Sequence, residues 1–162
     1  MPNDWRVIPE FDHYSVNRLG FIRNDDYDRV LVQYPNTRGT AMIGFFKNGI
    51  QYKRAVAPIV AHAFLDAPPS DQATPINLDG DRFNNRADNL MWRPLWFARR
   101  YHRQFQDEIC VTKPIEDMDS GERFENSRLA AIKYGLLDRE IRIGILNRIP
   151  VWPTFQFFRI SR

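Results

Sequence analysis

The chain is 162 residues long, 43% hydrophobic, 27% charged and 14% aromatic, a globular composition that excludes disorder and low complexity. No apolar run approaches the ~20 residues that cross a bilayer, and a single cysteine, Cys110, excludes an intrachain disulfide and a cysteine-based zinc site. The start Met1-Pro2-Asn3-Asp4-Trp5 lacks the basic and apolar regions of a signal peptide, so a reducing, cytoplasmic setting is expected, with no membrane partner. The formal charge is only +3 but unevenly spread: between Arg82 and Arg103 six arginines stand against one acid, Asp88. Arginine meets phosphate in a planar, bidentate way, so such a stretch beside aromatics points toward nucleic acid, with a plain solvated helix face as the other reading.

Taken in chain order, three segments are expected, residues 1–53, 54–106 and 107–162. In the first, Val30-Leu31-Val32-Gln33-Tyr34 and Ala41-Met42-Ile43-Gly44-Phe45-Phe46 alternate as antiparallel strands do, with turns at Pro35-Asn36, Arg38-Gly39 and Asn48-Gly49. In the second, Ala55 to Leu65 has helical spacing, with Val56, Ile59, Val60, Ala63 and Phe64 on one face and Pro58 in the first turn. Ile76 to Leu78 reads as a short strand, Asp79-Gly80-Asp81 as a tight turn, and Trp96 to Gln106 as a basic helix. In the third, Val111 to Met118 and Arg123-Phe124 flank a hairpin turn, Asn126 or Ser127 caps a helix to Tyr134, a second helix covers about Asp138 to Asn147, and Phe155 to Ile160 is a last strand.

The tightest local pattern is in that third segment. A helix-turn-helix needs a small residue in its first helix, a glycine at the turn and an apolar residue in its second helix to fill the junction. Ala131, Gly135 and Ile141 stand at spacings of four and six, with Leu129, Ile132, Ile145 and Leu146 available for the rest of the core. Arg139, Arg142 and Asn147 then face outward, able to reach phosphates or base edges, and Asp138 is read as an N-cap. An αα-corner with no ligand fits the same pattern.

With these residues laid out, a family resemblance can be stated. Trp5-Arg6-Val7-Ile8-Pro9-Glu10-Phe11 with Tyr14 to Arg23, then Val56 to Leu65, then Asn77-Leu78-Asp79-Gly80-Asp81-Arg82-Phe83-Asn84-Asn85-Arg86-Ala87-Asp88-Asn89-Leu90-Met91-Trp92, then Ser120-Gly121-Glu122-Arg123-Phe124 with Ala130-Ala131 and Gly135, resemble in order the pieces of HNH homing endonucleases of phages and group I introns. The resemblance implies an α+β fold. It would comprise a small antiparallel N-terminal sheet, a ββα-type HNH-like centre, and a C-terminal hairpin plus helix-turn-helix that binds double-stranded DNA.

The chemistry departs from the resemblance. An HNH site hydrolyses a phosphodiester with a histidine general base and one divalent metal. The resemblance puts that histidine on the strand before the turn, where this chain has Asn77, which has no basic nitrogen. It puts a metal ligand one residue earlier, at Ile76, or, with the strand one residue shorter, at Asn77 itself with the histidine missing; it puts a second ligand at Ala98 and a further histidine at Ala57. No catalytic residue and no metal site are therefore expected. His62 is the fallback base, Asp79 and Asn89 the weak fallback ligands, and Mg²⁺ the cofactor only if the nuclease reading holds. His13 and His102 suit exposure or phosphate contact better than catalysis. The expected DNA contacts are Arg82, Arg86, Arg93, Arg99, Arg100, Arg103, Arg139, Arg142 and Asn147. Three functions remain open: a DNA-binding protein with a decayed nuclease centre, an active metal-dependent endonuclease with a substitute base, and a phage structural or host-factor-binding adaptor for which the partner is a protein.

Overall fold

Three small sheets and a helix share one aromatic core in the first part of the chain. The computed structural model describes residues 3–162, which cluster as two compact units, one running to Leu95 and one from Trp96 to Arg162. In the first unit, β1 (Arg6–Ile8), β2 (Phe11–Val16), β3 (Ile22–Asn24) and β4 (Arg29–Val30) form an antiparallel sheet in that order. A second sheet joins β5 (Tyr34–Pro35), β6 (Ala41–Lys47) and β7 (Ile50–Ala55), with Asn48 and Gly49 both at positive φ in the turn between the last two. Along β6 the side chains of Ala41, Ile43 and Phe45 are buried at period two, the pattern of a strand with one face on a core. Phe45 stacks on Phe11 of β2 with centroids 4.3 Å apart and meets the edge of Tyr14 at 4.8 Å. The Tyr14 hydroxyl in turn accepts a hydrogen bond from the Phe46 N–H at 3.1 Å. This aromatic trio joins the two sheets.

Helix α1 (Val56–Phe64) buries Val56, Val60 and Ala61 against the same core, and Pro58 sits in its first turn, where a missing N–H costs no helical hydrogen bond. The antiparallel pair β8 (Ala73–Asn77) and β9 (Leu90–Pro94) follows, in register from Ala73 opposite Pro94 to Asn77 opposite Leu90. The expected single strand over Val30 to Tyr34 is instead divided between β4 and β5. Leu31 hydrogen-bonds back to Ile22 at 2.8 Å and Gln33 reaches the Gly20 carbonyl at 2.8 Å, so the chain passes from one sheet to the next instead of extending either.

In the second unit, α2 (Leu95–Gln104) enters at Trp96, and β10 (Ile115–Asp117), β11 (Arg123–Phe124) and β12 (Phe158–Ile160) form a sheet with β10 in the centre. Between β11 and β12 lie α3 (Ser127–Tyr134) and α4 (Asp138–Asn147). The Asn126 side chain caps α3 by accepting the Leu129 N–H at 3.0 Å. Gly135 ends that helix at φ 66°, ψ 48°, a left-handed conformation open to glycine without a Cβ penalty. Ala131 and Ile141 are wholly buried on either side of it. Two of the expected core residues are corrected: Leu129 and Leu146 are 44% and 68% exposed, and Leu136, Val151 and Phe158 fill the core in their place. Asp138 is likewise not the cap but the first residue of α4, following Leu137. Among the described residues no helix is long and apolar enough to cross a membrane.

The turn between β2 and β3 rests on the loop after β8. Gly20, at φ 85°, leaves only 2.8 Å between an added Cβ and the Asn85 carbonyl oxygen, whereas Gly39, at φ 77°, has open space around it. Gly20→Ala is therefore expected to cost about 2–4 kcal/mol, strain and clash together, and Gly39→Ala about 1 kcal/mol from strain alone. Urea unfolding of the two variants checks the difference.

Candidate functional site

Asn77 is the last residue of β8 and is only 2% exposed. Its amide nitrogen donates to the Asn84 carbonyl at 2.9 Å and to the Asn85 side-chain oxygen at 2.8 Å, while Asn85, also buried, donates to the Arg82 carbonyl at 3.3 Å. Ile76 beside it is wholly buried. Asn77, where the resemblance expects a general base, thus holds an amide that closes the β8–β9 loop.

Asp79 is tied into the same loop. Its carboxylate accepts from Asn84 Nδ2 at 2.7 Å, from Asn89 Nδ2 at 2.9 Å and from the Asp81 N–H at 2.9 Å. Partial burial pushes its pKa up, but these bonds outweigh burial and hold the carboxyl below its ordinary range. Asn89 also donates to the Asn84 carbonyl and accepts from the Asp79 N–H. Both fallback ligands are therefore saturated by loop hydrogen bonds. Ile76 and Asn77 offer no anionic donor. This donor set does not fit a divalent cation, which takes carboxylate oxygens or imidazoles. Among the described residues no three His, Cys, Asp or Glu side chains are grouped as a metal site needs. His62 is exposed on α1 with its ring edge on Trp92, centroids 5.0 Å apart. His13 is exposed and pairs with Asp26 at 3.0 Å, which raises its pKa by hydrogen bond and charge.

The expected DNA contacts divide by their surroundings. In the first unit Arg82 is half-buried and donates to Thr40 Oγ1 at 2.7 Å, Arg86 is exposed beside Asp88 at 3.3 Å, and Arg93 donates to the Trp92 carbonyl. Arg38, which sequence reading took only as part of a turn, adds positive charge beside Arg82 and lowers its pKa together with burial, the larger cause. In the second unit Arg99, Arg100 and Arg103 are exposed along α2, and Arg139, Arg142 and Asn147 are exposed on α4. None of these five arginines has a carboxylate partner among the described residues. The Asp138 carboxylate at the start of α4 is neutralised from behind by Arg128 at 3.0 Å, with both side chains largely buried, so it does not repel an anion approaching the outer face.

Asp117 fixes α3 to the sheet. It is 1% exposed and accepts from the Asp119 N–H, Tyr134 hydroxyl, Ser120 hydroxyl and Gln156 amide at 2.9–3.0 Å. Burial raises its pKa and the four bonds together lower it further than burial lifts it.

The chain has relatives among known proteins. No family model matches it. Two uncharacterized HNH endonucleases of Acanthamoeba polyphaga mimivirus are 28% and 29% identical to it over 92 and 97 residues, 57% and 54% of this chain. The chain spans about a quarter of the length of these curated relatives, 27% and 23%. The solved structure of the HNH homing endonuclease I-HmuI superposes with a TM-score of 0.56 at 20% identity, covering 98% of both chains. In fold this is an HNH homing endonuclease-like protein, α+β with small antiparallel sheets and four helices among the described residues.

The folded pKa of Asp117 lies below its unfolded value, so its contribution to stability is complete above the unfolded carboxylate pKa of ~3.9 and is lost as pH falls through the lower folded value. Asp117→Asn is expected to lose about 2–3 kcal/mol at neutral pH and to show a shallower stability decline below about pH 4 than the parent. Denaturant titrations across that range read both effects.

Proposed function

We propose that this protein binds double-stranded DNA through an HNH homing endonuclease-like scaffold and does not cut it. The observation that carries the reading is the state of Asn77: a buried amide committed to Asn84 and Asn85, beside a buried Ile76, where hydrolysis requires a base and a ligand. The structural relative is described by its DNA binding and cleavage, and the binding half of that description is supported by the exposed arginines of this chain. Two short helices, α3 and α4, joined through a left-handed Gly135 support a helix-turn-helix reading of this pair. Arg139 and Arg142 on α4 read base edges or phosphates, and Arg99, Arg100 and Arg103 on α2 contribute salt-sensitive phosphate contacts. Arg82, Arg86, Arg93 and Asn147 contribute at the margins.

The names of the viral relatives favour a second reading, a metal-dependent DNA endonuclease. In this chain it requires a base other than Asn77, and His62 is the nearest candidate. The edge contact with Trp92 gives that ring a packing role instead.

Incubation of the full chain with plasmid and short duplexes separates the two readings. Expected are retardation that weakens steeply with salt and no nicking in Mg²⁺ or Mn²⁺. Arg139→Ala and Arg142→Ala are each expected to weaken binding about tenfold. Asn77→His alone is expected to leave the protein without nicking, because Ile76 supplies no ligand. Metal-dependent nicking that His62→Ala abolishes would establish the endonuclease reading instead.

A further inference from the structure

The second unit holds a pair of exposed tryptophans that the duplex contacts proposed above do not involve. Trp96 at the start of α2 and Trp152 after α4 are 53% and 42% exposed, yet their rings stack on each other, centroids 5.4 Å apart and planes 27° from parallel. Buried Phe97 floors the pair, 5.8 Å from Trp96 and 5.6 Å from Trp152. The Arg100 guanidinium lies 5.6 Å from the Trp96 ring centre. Around them is a cavity of about 190 Å³ lined by Trp96, Phe97, Arg100, Leu137, Glu140 and Trp152. That is below the ~300 Å³ at which sites for drug-sized ligands begin, so it takes one ring system and not a large ligand.

A larger cleft of about 620 Å³ shares Arg100, Leu137 and Glu140 with the slot and adds Arg103 and Arg139. Of the acids lining this cleft, Asp138 is held by Arg128, which leaves Asp107 and Glu140 against three arginines. Cationic groups beside exposed aromatic faces are the elements by which proteins hold unpaired nucleotides: arginines track the phosphates and rings stack on bases. Glu140, common to both cavities, is placed to accept a hydrogen bond from an exocyclic amino group, as carboxylates do from cytosine. A base inside an intact duplex presents no free face, so only an unpaired or extruded one enters the slot.

We propose that the second unit carries a site for a single unpaired nucleotide, its base stacked at Trp96 and Trp152 and its flanking phosphates on Arg103 and Arg139. The protein accordingly prefers DNA with an unpaired base to a perfect duplex. This rests on the DNA-binding reading above, and the experiment separates the two.

The full chain is titrated with a labelled perfect duplex and with the same duplex carrying one extrahelical 2-aminopurine. The 2-aminopurine duplex is expected to bind about tenfold more tightly, the scale of one base stacked on an aromatic ring, and its emission to fall on binding. Trp96→Ala and Trp152→Ala abolish the preference and the quenching while still retarding the perfect duplex. Trp96→Phe, which keeps a stacking face, retains most of both and shows that the alanine effect is not loss of fold. Equal affinity for the two duplexes with unchanged emission would overturn the nucleotide site and leave duplex binding standing. Retardation of neither duplex would overturn both.

Discussion

A buried amide must be met by hydrogen-bond partners or it destabilises the fold, and that requirement organises the first unit. Asn77 and Asn85 are 2% and 3% exposed, and each finds its partners within the loop that joins β8 to β9. Asn89 and Asp79 close the same loop from its outer side. Other segments use this bonded loop as a surface. Ala87 donates its N–H to the Arg18 carbonyl at 2.8 Å, and Gly20 fits against the Asn85 backbone because it lacks a side chain. The N-terminal sheet is positioned by a loop whose own shape depends on side-chain amides and on the Asp79 carboxylate they donate to.

The same network separates scaffold from chemistry. A catalytic imidazole needs a nitrogen lone pair facing the reacting water, and a metal ligand needs a charge that survives desolvation. An amide donating to a backbone carbonyl and an isoleucine in the core impose neither cost. The hairpin therefore keeps its register from Ala73 to Asn77 without any of the charged groups that hydrolysis would place there. On the proposed reading the fold persists because the interactions that hold the loop were never those that would cut a phosphodiester.

Sequence reading recovered those elements whose signal is local. Asn126, Gly135 and the spacing of Ala131 and Ile141 are properties of one helix pair, and the structure puts the helix ends there. The β6–β7 turn at Asn48-Gly49 and the placement of Pro58 in α1 are local in the same way. The division of Val30 to Tyr34 was not legible, because it depends on Ile22 and Gly20, eight or more residues away, reaching across to Leu31 and Gln33. Nor was the exposure of Leu129 and Leu146, since helical spacing identifies an apolar stripe but not whether Val151 and Phe158 already fill the space beside it. At the candidate site the absence of a basic nitrogen at Asn77 was visible from residue type alone. What the amide does instead requires Asn84 and Asn85 in three dimensions. The Trp96–Trp152 pair joins residues far apart in the chain, and composition offered no sign of it.

Arginine partnering gives a physical reason for the proposed nucleic-acid contacts on α2 and α4. In the first unit Arg6 and Arg18 lie over the Phe64 ring, Arg23 lies over Trp5 and pairs with Asp25, and Arg54 lies over Phe11 and Tyr52 and pairs with Glu10. A guanidinium held by a ring and a carboxylate must give up both to reach a phosphate, so its net gain on binding is small. Arg99, Arg103, Arg139 and Arg142 have no such contacts among the described residues, and Arg100 has only the Trp96 ring. Their counter-ions in the free protein are mobile salt, which a phosphate backbone displaces. Counter-ion release of that kind makes affinity fall steeply with salt. The arginines of α2 and α4 can generate it, and so can the exposed Arg29 and Arg38 of the first unit, which also lack a carboxylate partner among the described residues.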